Sequence, residues 1–402
     1  MDLNNDLQVE KLGNYLEGKK IALCVGGGIA AIEAPKIARH LRRYGAEVKA
    51  YATANTYEFV GKASLEWGTG QQVVDKLSGM AEHICLEDLV LVAPATLNTI
   101  NKIFAGIADN SVTTLISSAL GLKKPVYLVP TMHESMYNNP FLQNNLQTAG
   151  KYNIRIIPPR REEHKAKMPR MENIVAAVCR ELSEDQLKGK KIMITGGPTP
   201  AKIDDVRRIV AKFKGSLAVE IAKDAYHRGA EVSLQLGKYG AHVPSYLPVT
   251  YHDSFEEYRG NVFAALDKGQ DIGVFSAAVA DYLPAEYQPG KIASGGAITS
   301  IPLKQAPKVI QEVRRQYPNL YMVTFKYEDG VSQEGLLEIA ANRIEQGYQL
   351  VVANRAQEMQ EKHHAYIVGK EGVLSTPSSK KEIAKELLDI LERDIDSLKR
   401  RN

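Results

Sequence analysis

Cysteine, tryptophan and long apolar runs are all scarce in this sequence. The three cysteines, Cys24, Cys85 and Cys179, lie far apart, and no C-x-x-C pair occurs. This spacing argues against a disulfide framework or a zinc site, and the scarcity is typical of a reducing compartment. Residues 1–20 lack an apolar signal core, and no stretch approaches about 18 consecutive apolar residues. We therefore predict a cytoplasmic protein that does not span a membrane.

A strong excess of one charge is also lacking, since the formal net charge of the 402 residues is only +4. A nucleic-acid-binding domain is expected to carry a clustered basic face, so this function class is disfavoured. The 44% hydrophobic and 24% charged residues are typical of a soluble globular protein. The length exceeds that of one ordinary domain and predicts two. We expect an enzyme with anionic ligands.

Two short patterns occur once in each half of the chain. Leu16–Lys20 runs into the segment IALCVGGG, and Leu187–Lys191 runs into IMITGGPT. A second pattern, G-A-E-V, occurs within Tyr44–Val48 and Arg228–Val232, where a helix is expected to end at glycine before the next strand. Each half therefore begins with a strand, a glycine-rich loop and a helix, which predicts two α/β domains.

The predicted architecture is two doubly wound domains, residues 1–184 and 185–402, joined within Ser183–Lys190. Continuous apolar runs, as parallel sheets require, are the strand candidates. Besides the two opening strands they are 48–53, 88–95 and 125–130 in the first half and 232–237, 272–280, 320–325, 350–354 and 365–369 in the second. Helical periodicity is present at 30–43, 110–120, 216–228, 307–315 and 333–346, and the tail from Ser378 to Asn402 is a predicted charged helix.

The glycine turn Gly26–Ala31 follows a strand and enters a helix. Glycine lets the backbone approach a phosphate, which the exposed N–H groups and the helix dipole then bind. The turn does not match G-x-G-x-x-G, so a mononucleotide is favoured over a dinucleotide, with a ligand-free tight turn as the alternative. The segments 52–55, 93–98 and 130–137 follow other strands, and such segments converge at one edge of a parallel sheet.

The ordered segments GGGIAA, EHICL, LVAPATLNTINKIFAGIADN and PTMHESMY resemble the homo-oligomeric flavin-containing cysteine decarboxylase family. The resemblance implies a flavodoxin-like domain and an FMN cofactor, with His83 and His133 as catalytic residues. By position, FMN is held by Gly27, Gly28, Ile29, Thr53, Ala95, Thr96 and Asn98. The substrate contacts are Met132, His133 and Met136. Without this context, His83 would be interpreted as an ordinary surface histidine.

Two positions depart from the bacterial pattern of this family. His133 stands where bacterial members have the asparagine that binds the substrate carboxylate. The segment Pro158–Arg170 corresponds to a flap that carries a cysteine for the reducing step in those enzymes, and it contains no cysteine here. The proton donor of that step is therefore unassigned. The four basic residues of this segment, Arg160, Arg161, Lys165 and Lys167, fit either an anion clamp or a solvated loop.

The second half resembles the phosphopantothenate–cysteine ligase family in six ordered blocks. These are GGPT (196–199), IDDVRRI (203–209), AAVADY (277–282), KIAS (291–294), FKYE (325–328) and VAN (352–354). The resemblance implies a Rossmann-like domain, Mg²⁺, CTP or ATP as co-substrate, an acyl-nucleotidylate intermediate and Lys291 as a catalytic cation. The implied nucleotide contacts are Gly196, Gly197, Pro198, Thr199, Ala278, Asp281, Lys291, Phe325, Lys326 and Asn354, with Asp281 also a candidate Mg²⁺ ligand.

Ala211 and Ala293 depart from the ligase pattern. Ala211 replaces an asparagine associated with the second half-reaction at a substrate-binding position, and Ala293 replaces a lysine. Together the two resemblances imply a bifunctional enzyme of coenzyme A biosynthesis that makes 4′-phosphopantetheine. The alternatives are an enzyme that retains one activity and a flavin-binding regulatory or scaffold protein.

The resemblance also implies a homo-oligomer without nucleic-acid or membrane partners. The decarboxylase family forms trimers with FMN at the subunit boundary, and the ligase family forms dimers, so a dodecamer or another trimer-of-dimers assembly is expected. Trp67 and Phe104 are candidates for its apolar contacts, with burial within one subunit as the alternative.

Overall fold

The computed structural model describes residues 7–293, 295, 300–361 and 364–399, except the side chains of 359–361 and 396–399. Ser294 of the predicted lysine block and residues 400–402 of the predicted terminal helix lie outside this range. The chain forms two compact units that divide between Ser183 and Glu184. Among the described residues, no helix is long and apolar enough to cross a membrane.

The first unit contains eight strands and seven α-helices within its described residues. The strands are β1 (Lys20–Val25), β2 (Glu47–Ala52), β3 (Leu89–Ala95), β4 (Val126–Pro130), β5 (Met132–His133), β6 (Ile154–Ile156), β7 (Arg160–Glu162) and β8 (Lys165–Lys167). The helices are α1 (Ala34–Arg43), α2 (Lys62–Thr69), α3 (Leu97–Phe104), α4 (Ser111–Gly121), α5 (Glu134–Tyr137), α6 (Pro140–Thr148) and α7 (Met171–Leu182).

A five-stranded parallel sheet in the order β2-β1-β3-β4-β6 forms the centre of this unit. Every residue of β3 and β4 is buried, which explains their uninterrupted apolar sequences. Helices α1 and α7 pack on one face of the sheet, and α3 and α4 pack on the other. The predicted doubly wound, flavodoxin-like fold is therefore confirmed.

The segment that follows β6 forms a β-hairpin, which the sequence did not predict. Strands β7 and β8 pair with each other, and β8 also pairs with β5, so a three-stranded antiparallel sheet joins this basic segment to His133. Residues 160–162 and Lys165 are exposed on this hairpin, so the choice between an anion clamp and a solvated basic segment stays a prediction. Most residues of β7 and β8 are charged, and charged residues are not typical of strands. These segments form strands because β5 and β8 supply backbone hydrogen-bond partners, which the local sequence does not show.

The second unit contains the strands β9 to β20 and the helices α8 to α13. The strands are Lys191–Gly196, Ala201–Lys202, Arg208–Ile209, Glu231–Gly237, Val249–His252, Ile272–Phe275, Tyr282–Pro284, Leu303–Gln305, Tyr321–Glu328, Leu350–Arg355, Tyr366–Gly369 and Gly372–Ser375. The helices are Ser216–His227, Phe255–Leu266, Val309–Gln316, Gln333–Glu345, Ala356–Glu361 and Lys380–Lys399.

An eight-stranded sheet in the order β13-β12-β9-β14-β17-β18-β19-β20 organises this unit. The first six strands are parallel, and β19 and β20 continue the edge antiparallel. Helices α8 and α13 pack on one face of the sheet, and α9 and α10 pack on the other. The order of the six parallel strands is that of the Rossmann fold, so this expectation is also confirmed.

The predicted strand 272–280 is too long, because β14 ends at Phe275. Ser276 instead donates its hydroxyl to the carbonyl of Thr195, and the amide of Ala277 donates to the hydroxyl of that threonine. The apolar run thus leaves the ladder and turns across the end of β9, which places residues 276–281 at the carboxyl edge of the sheet.

A buried arginine joins α8 to the terminal helix α13. Only 7% of the Arg228 side chain is exposed, and its guanidinium lies 2.9 Å from Asp224 and 2.6 Å from Asp389. Asp185 and Glu392 lie 3.4 Å and 3.6 Å from the same group. Burial raises the pKa of Asp185 to about 6, while the nearby Arg228 guanidinium acts in the opposite direction and favours the charged carboxylate.

We expect Arg228→Met to lower the free energy of unfolding of the second unit by about 3 kcal/mol, because it leaves buried carboxylates without their cation. Arg259→Met is the matched control, since Arg259 pairs with Glu312 while 48% of its side chain is exposed. The control should lower the same free energy by about 0.5 kcal/mol or less. Urea unfolding followed by amide exchange of α8 would measure both, and equal losses would contradict the role of Arg228.

Candidate active sites

The glycine turn after β1 lies in direct contact with the segment after β2. A Cβ atom added to Gly27 would lie 2.6 Å from the Cβ of Asn55 and 2.7 Å from its carbonyl carbon. The amide of Gly26 donates to the carbonyl of Pro94 over 3.2 Å, which ties the same turn to the end of β3. Three strand ends therefore meet at a distance that only glycine permits.

Most of the predicted flavin residues are brought together at this edge. Thr96 is the N-cap of α3 and accepts from the amide of Thr99. The hydroxyl of Thr53 lies 3.1 Å from that of Thr56, which itself donates to the carbonyl of Val25. Ala95 is the last residue of β3, and Asn98 is exposed in the first turn of α3. Sequence order and sheet topology together produce this arrangement.

The space beside the turn fits a mononucleotide. A Cβ added to Gly28 would meet only the methyl of Thr96, at 3.6 Å, so the backbone there faces open space. Ile29, the next residue, is 73% exposed and offers apolar surface to a flat ring. Backbone amides, two threonine hydroxyls and this apolar surface are the groups that a phosphate, a ribityl chain and an isoalloxazine ring require.

His83 lies apart from this cluster. It is exposed in the loop that precedes β3, whereas the glycine turn and Thr96 follow the carboxyl ends of their strands. Two residues later, the amide of Cys85 donates to the hydroxyl of Ser118, which places the loop against α4. The described residues therefore do not bring His83 to the flavin side of its own chain.

His133 is positioned by the short helix that follows it. Its Nδ1 accepts from the amide of Ser135 at 3.3 Å, and because a backbone N–H can only donate, the neutral ring carries its proton on Nε2. His133 pairs with Lys165 across the β5–β8 ladder, and Met132 pairs with Ala166. His133 and Lys165 are thus cross-strand neighbours just beyond the end of β4. Met136, 43% exposed, lies in the helix itself.

The basic residues of the hairpin differ in their partners. The Arg160 guanidinium donates to Glu162 at 2.9 Å, and Lys167 lies 2.7 Å from Glu163. Arg161 instead stacks over the ring of Tyr137 at 5.1 Å. Among the described residues, Arg161 and Lys165 have no carboxylate within salt-bridge distance. These two, more than Arg160 and Lys167, retain charge for an anion.

No cysteine is available on the hairpin as a proton donor. Cys24, Cys85 and Cys179 are all buried in the sheet–helix cores. Burial raises the pKa of the Cys85 thiol to about 11 and raises those of the other two as well. The three thiols are therefore structural.

The second unit contains a cavity of about 810 Å³ at the carboxyl edge of its sheet. The predicted residues that line it are Gly197, Ala211, Ala278, Asp281, Phe325, Lys326 and Asn354. The GGPT turn is fixed to the AAVADY segment, since the amide of Ala278 donates to Gly197 and the amide of Ala280 donates to the hydroxyl of Thr199. Three other predicted residues of the turn do not line the cavity themselves and lie behind its lining residues. They are Gly196, Pro198 and Thr199.

Lys291 lies outside the lining of this cavity. It is exposed, and its neighbours are fixed to the IDDVR segment: the amide of Gly290 donates to Asp205 at 2.8 Å, and that of Ile292 donates to Asp204 at 3.1 Å. Ala293 lies on the same exposed loop. The structure thus explains why IDDVR and KIAS occur together, although none of their described residues, 203–209 and 291–293, lines the cavity.

Two cations of the lining are already paired with carboxylates. Lys308 lies 2.5 Å from Asp281, and Lys326 lies 2.5 Å from Glu328. The carboxylate of Asp281 is thus shared with an ammonium group. Within the described residues, no group of three or more histidine, cysteine, aspartate or glutamate side chains could hold a metal ion. Asp281 is therefore not part of such a group among the described residues.

Several lining residues escaped the sequence analysis. They are Lys214, Thr324, Arg343, Lys308 and Lys380. The hydroxyl of Thr324 is buried and has no hydrogen-bond partner among the described residues, although the side chain lines the cavity. Lys308 follows Pro307 just before α10, and Lys380 follows Ser379 as the first residue of α13. Proline and serine mark helix starts, but no sequence pattern places the two lysines around one cavity.

Two family descriptions match this chain: "Flavoprotein" at residues 10–183, and "DNA/pantothenate metabolism flavoprotein C-terminal domain" at residues 187–394. The coenzyme A biosynthesis bifunctional protein CoaBC of Thermococcus kodakarensis is 37% identical over 390 residues, 94% of this chain and 96% of the relative. The protein of that name from Methanocaldococcus jannaschii is 34% identical over 394 residues, 95% of either chain. A solved DNA/pantothenate metabolism flavoprotein from Streptococcus pneumoniae covers 51% of this chain and 99% of its own, with 25% identity and a TM-score of 0.47.

A flavodoxin-like unit with a glycine turn, followed by a Rossmann-like unit with a cation-lined cavity, defines a two-domain flavoprotein. The chain belongs to the family of coenzyme A biosynthesis bifunctional proteins. The predicted bifunctional enzyme, with an FMN-dependent decarboxylase half and a ligase half, is thereby confirmed.

We expect Gly28→Asp to release flavin, because it places a carboxylate where the amides face the phosphate. Gly28→Ala is the matched control, since its methyl would meet only Thr96 at 3.6 Å. Flavin absorbance and fluorescence titration should show a flavin dissociation constant at least about 10-fold higher for the aspartate variant than for the alanine variant. Equal binding by both variants, or a reconstituted wild-type chain without flavin, would contradict this site.

Proposed function

We propose that this chain carries out both steps from 4′-phosphopantothenate to 4′-phosphopantetheine. The ligase half joins the acid to cysteine through an acyl-nucleotidylate, and the flavodoxin-like half removes the cysteinyl carboxylate. The observation that carries the proposal is that one chain of this family has both a glycine-lined strand edge and a separate cation-lined cavity.

In the decarboxylase half, Gly27, Gly28, Thr53 and Thr96 would hold FMN. When bound, FMN supplies reversible oxidation of the substrate's thiol carbon, which makes loss of CO₂ feasible. The residues of this chain then orient the substrate. The Nε2–H of His133 donates to the departing carboxylate, and the adjacent Lys165 ammonium compensates its charge until CO₂ leaves.

His83 is proposed to act on a neighbouring copy. The exposed position of its loop against α4 separates it from the flavin residues of its own chain. A homo-oligomer with the flavin at the subunit boundary would bring the two together. Trp67 is 43% exposed with the guanidinium of Arg39 stacked over it at 4.1 Å, so it offers apolar surface for such a contact. Phe104, half-buried against Tyr152, is the weaker candidate.

A His83→Asn chain and a Gly28→Asp chain should each lack decarboxylase activity, but a mixture should regain it. In an equal random mixture, half of the copies have an intact His83 and the other half have an intact glycine turn. About a quarter of the subunit boundaries would then combine both intact groups. The measurement is CO₂ release after the two proteins are mixed, unfolded and refolded together. A mixture without activity, from variants that assemble normally, would place His83 in its own chain's site or outside catalysis.

In the ligase half, the cavity would bind CTP or ATP. Its volume, its cations and the unpartnered hydroxyl of Thr324 suit a polar anionic ligand. Lys291 lies on an exposed loop outside the lining, and its proposed role, to compensate the charge that builds as pyrophosphate leaves, requires the triphosphate to extend from the cavity to this loop. Mg²⁺ would be bound chiefly by the phosphates themselves, since it commonly uses only one or two protein carboxylates. Asp281 is the carboxylate in place for this, once Lys308 releases it.

The test is mass spectrometry of the products from 4′-phosphopantothenate, cysteine, Mg²⁺ and each triphosphate. We expect 4′-phosphopantothenoylcysteine and then 4′-phosphopantetheine. Accumulation of the first product alone would mean that only the ligase is retained, and turnover of only the supplied first product would mean that only the decarboxylase is retained. Bound FMN without either reaction would favour the flavin-binding regulatory or scaffold protein.

Ala211 predicts a slow second half-reaction. It lines the cavity and offers no donor to the acyl intermediate, so pyrophosphate release should be faster than cysteine-dependent product formation. We expect Ala211→Asn to accelerate that second step by about 10²–10³-fold, the usual effect of one transition-state donor.

Lys291→Ala is the contrasting variant, because it should abolish pyrophosphate release. Pulse–chase trapping of the intermediate with cysteine separates the two half-reactions. If Ala211→Asn leaves the cysteine step unchanged while pyrophosphate release is normal, another residue supplies that donor.

A further inference from the structure

The first turn of α8 lies open to the cavity of the second unit. Its N-cap, Gly215, has a φ of 77° and provides no side-chain cap. A Cβ added there would lie 2.4 Å from the amide nitrogen of Gly197, so only glycine fits and no side chain can cap this helix from that position. Ser216 and Leu217, which follow Gly215, also line the cavity. The amides of Ser216 and Leu217 have no hydrogen-bond acceptor among the described residues, and they and the positive helix end lie at the cavity.

Lys380, the first residue of α13, lies at the same place. Its Nζ donates to the hydroxyl of Ser216 over 2.7 Å, and the residue lines the cavity. Among the described residues no carboxylate lies within salt-bridge distance of it, unlike Lys308 and Lys326. An ammonium group has three donors, so two remain after the bond to Ser216.

This arrangement is electrostatically unfavourable without a ligand. Lys380 is half-buried, lies at the positive end of its own helix, and contacts the positive end of α8. A cation at a helix N-terminus is destabilising, because it opposes the helix dipole. Lys214, another lining residue without a carboxylate within salt-bridge distance among the described residues, adds to the same positive region. An anion would satisfy the amides and both ammonium groups together.

We propose that Lys380 is a phosphate-binding residue of the ligase site, acting with the first turn of α8. The inference rests on the proposed function of the cavity. The phosphate belongs either to the nucleoside triphosphate or to the phosphorylated acid substrate. Both are dianionic or more at neutral pH, and both fit a helix end with a neighbouring lysine.

The test is the pair Lys380→Met and Lys381→Met. Lys381 is the next residue of α13, is exposed and does not line the cavity, so it is the matched control for charge and helix position. Steady-state kinetics of the ligase reaction should show a KM raised by about 10- to 100-fold in Lys380→Met for one of the two phosphorylated substrates. The substrate affected identifies the source of the phosphate. Lys380→Arg should restore most of the loss, and Lys381→Met should match the wild type.

A purely structural role gives a different result. In that case Lys380→Met would lower the midpoint of thermal unfolding and leave both KM values unchanged, which would overturn the proposal while the ligase function stands.

If the wild-type chain shows no ligase turnover, calorimetric titration with pyrophosphate replaces kinetics. Binding that Lys380→Met weakens and Lys381→Met does not would support the phosphate site although the proposed reaction had failed. The phosphate site would be overturned if the wild-type chain did not bind pyrophosphate, or if Lys380→Met bound it as tightly as the wild type.

Discussion

Direct contact between backbone segments at the carboxyl ends of the central strands is the constraint on which both sites depend. In the first unit the turn after β1 packs against Asn55, and in the second unit Gly197 packs against Gly215. A Cβ added to Gly237 would lie 2.3 Å from the carbonyl oxygen of Pro198. Such contacts exclude side chains, and they leave amides rather than carbon atoms at the sheet edge. Exposed amides at a strand edge are the groups that bind anions in other proteins, and this packing provides them at both edges.

The basic side chains of the second unit differ in how many carboxylates they contact, and this difference separates their roles. Arg228 is buried and surrounded by carboxylates, so it stabilises the contact between α8 and α13. Lys308 and Lys326 have one carboxylate each, and a ligand can compete for them. Within the part of the chain that the structure describes, Lys380 contacts a neutral hydroxyl and no carboxylate. A half-buried cation without a counterion is unfavourable, which is the basis of the proposed phosphate contact.

The first unit combines an ordinary parallel sheet with an unusual flap. The ladder between β5 and β8 fixes His133 beside Lys165, and the thiols that might have taken part in protonation are buried elsewhere. A histidine with its proton on Nε2 can donate to a carboxylate as the family's asparagine amide does. His133 can therefore offer a hydrogen-bond donor at this position, although the described hairpin carries no cysteine.

The sequence by itself determined the two α/β units, most of their buried strands and the glycine turns, because continuous apolar runs and glycine-rich breaks are local patterns. Its motif order also determined the family. Among the strands it missed are β6, the β7–β8 hairpin, β13 and β20, and it placed the end of β14 too late. Short or charged strands depend on ladder partners that are distant in the chain. Only the tertiary structure separated His83 and Lys291 from the residues expected around them. It alone placed Thr324, Arg343 and Lys380 around one cavity, because burial and charge compensation arise from residues far apart in sequence.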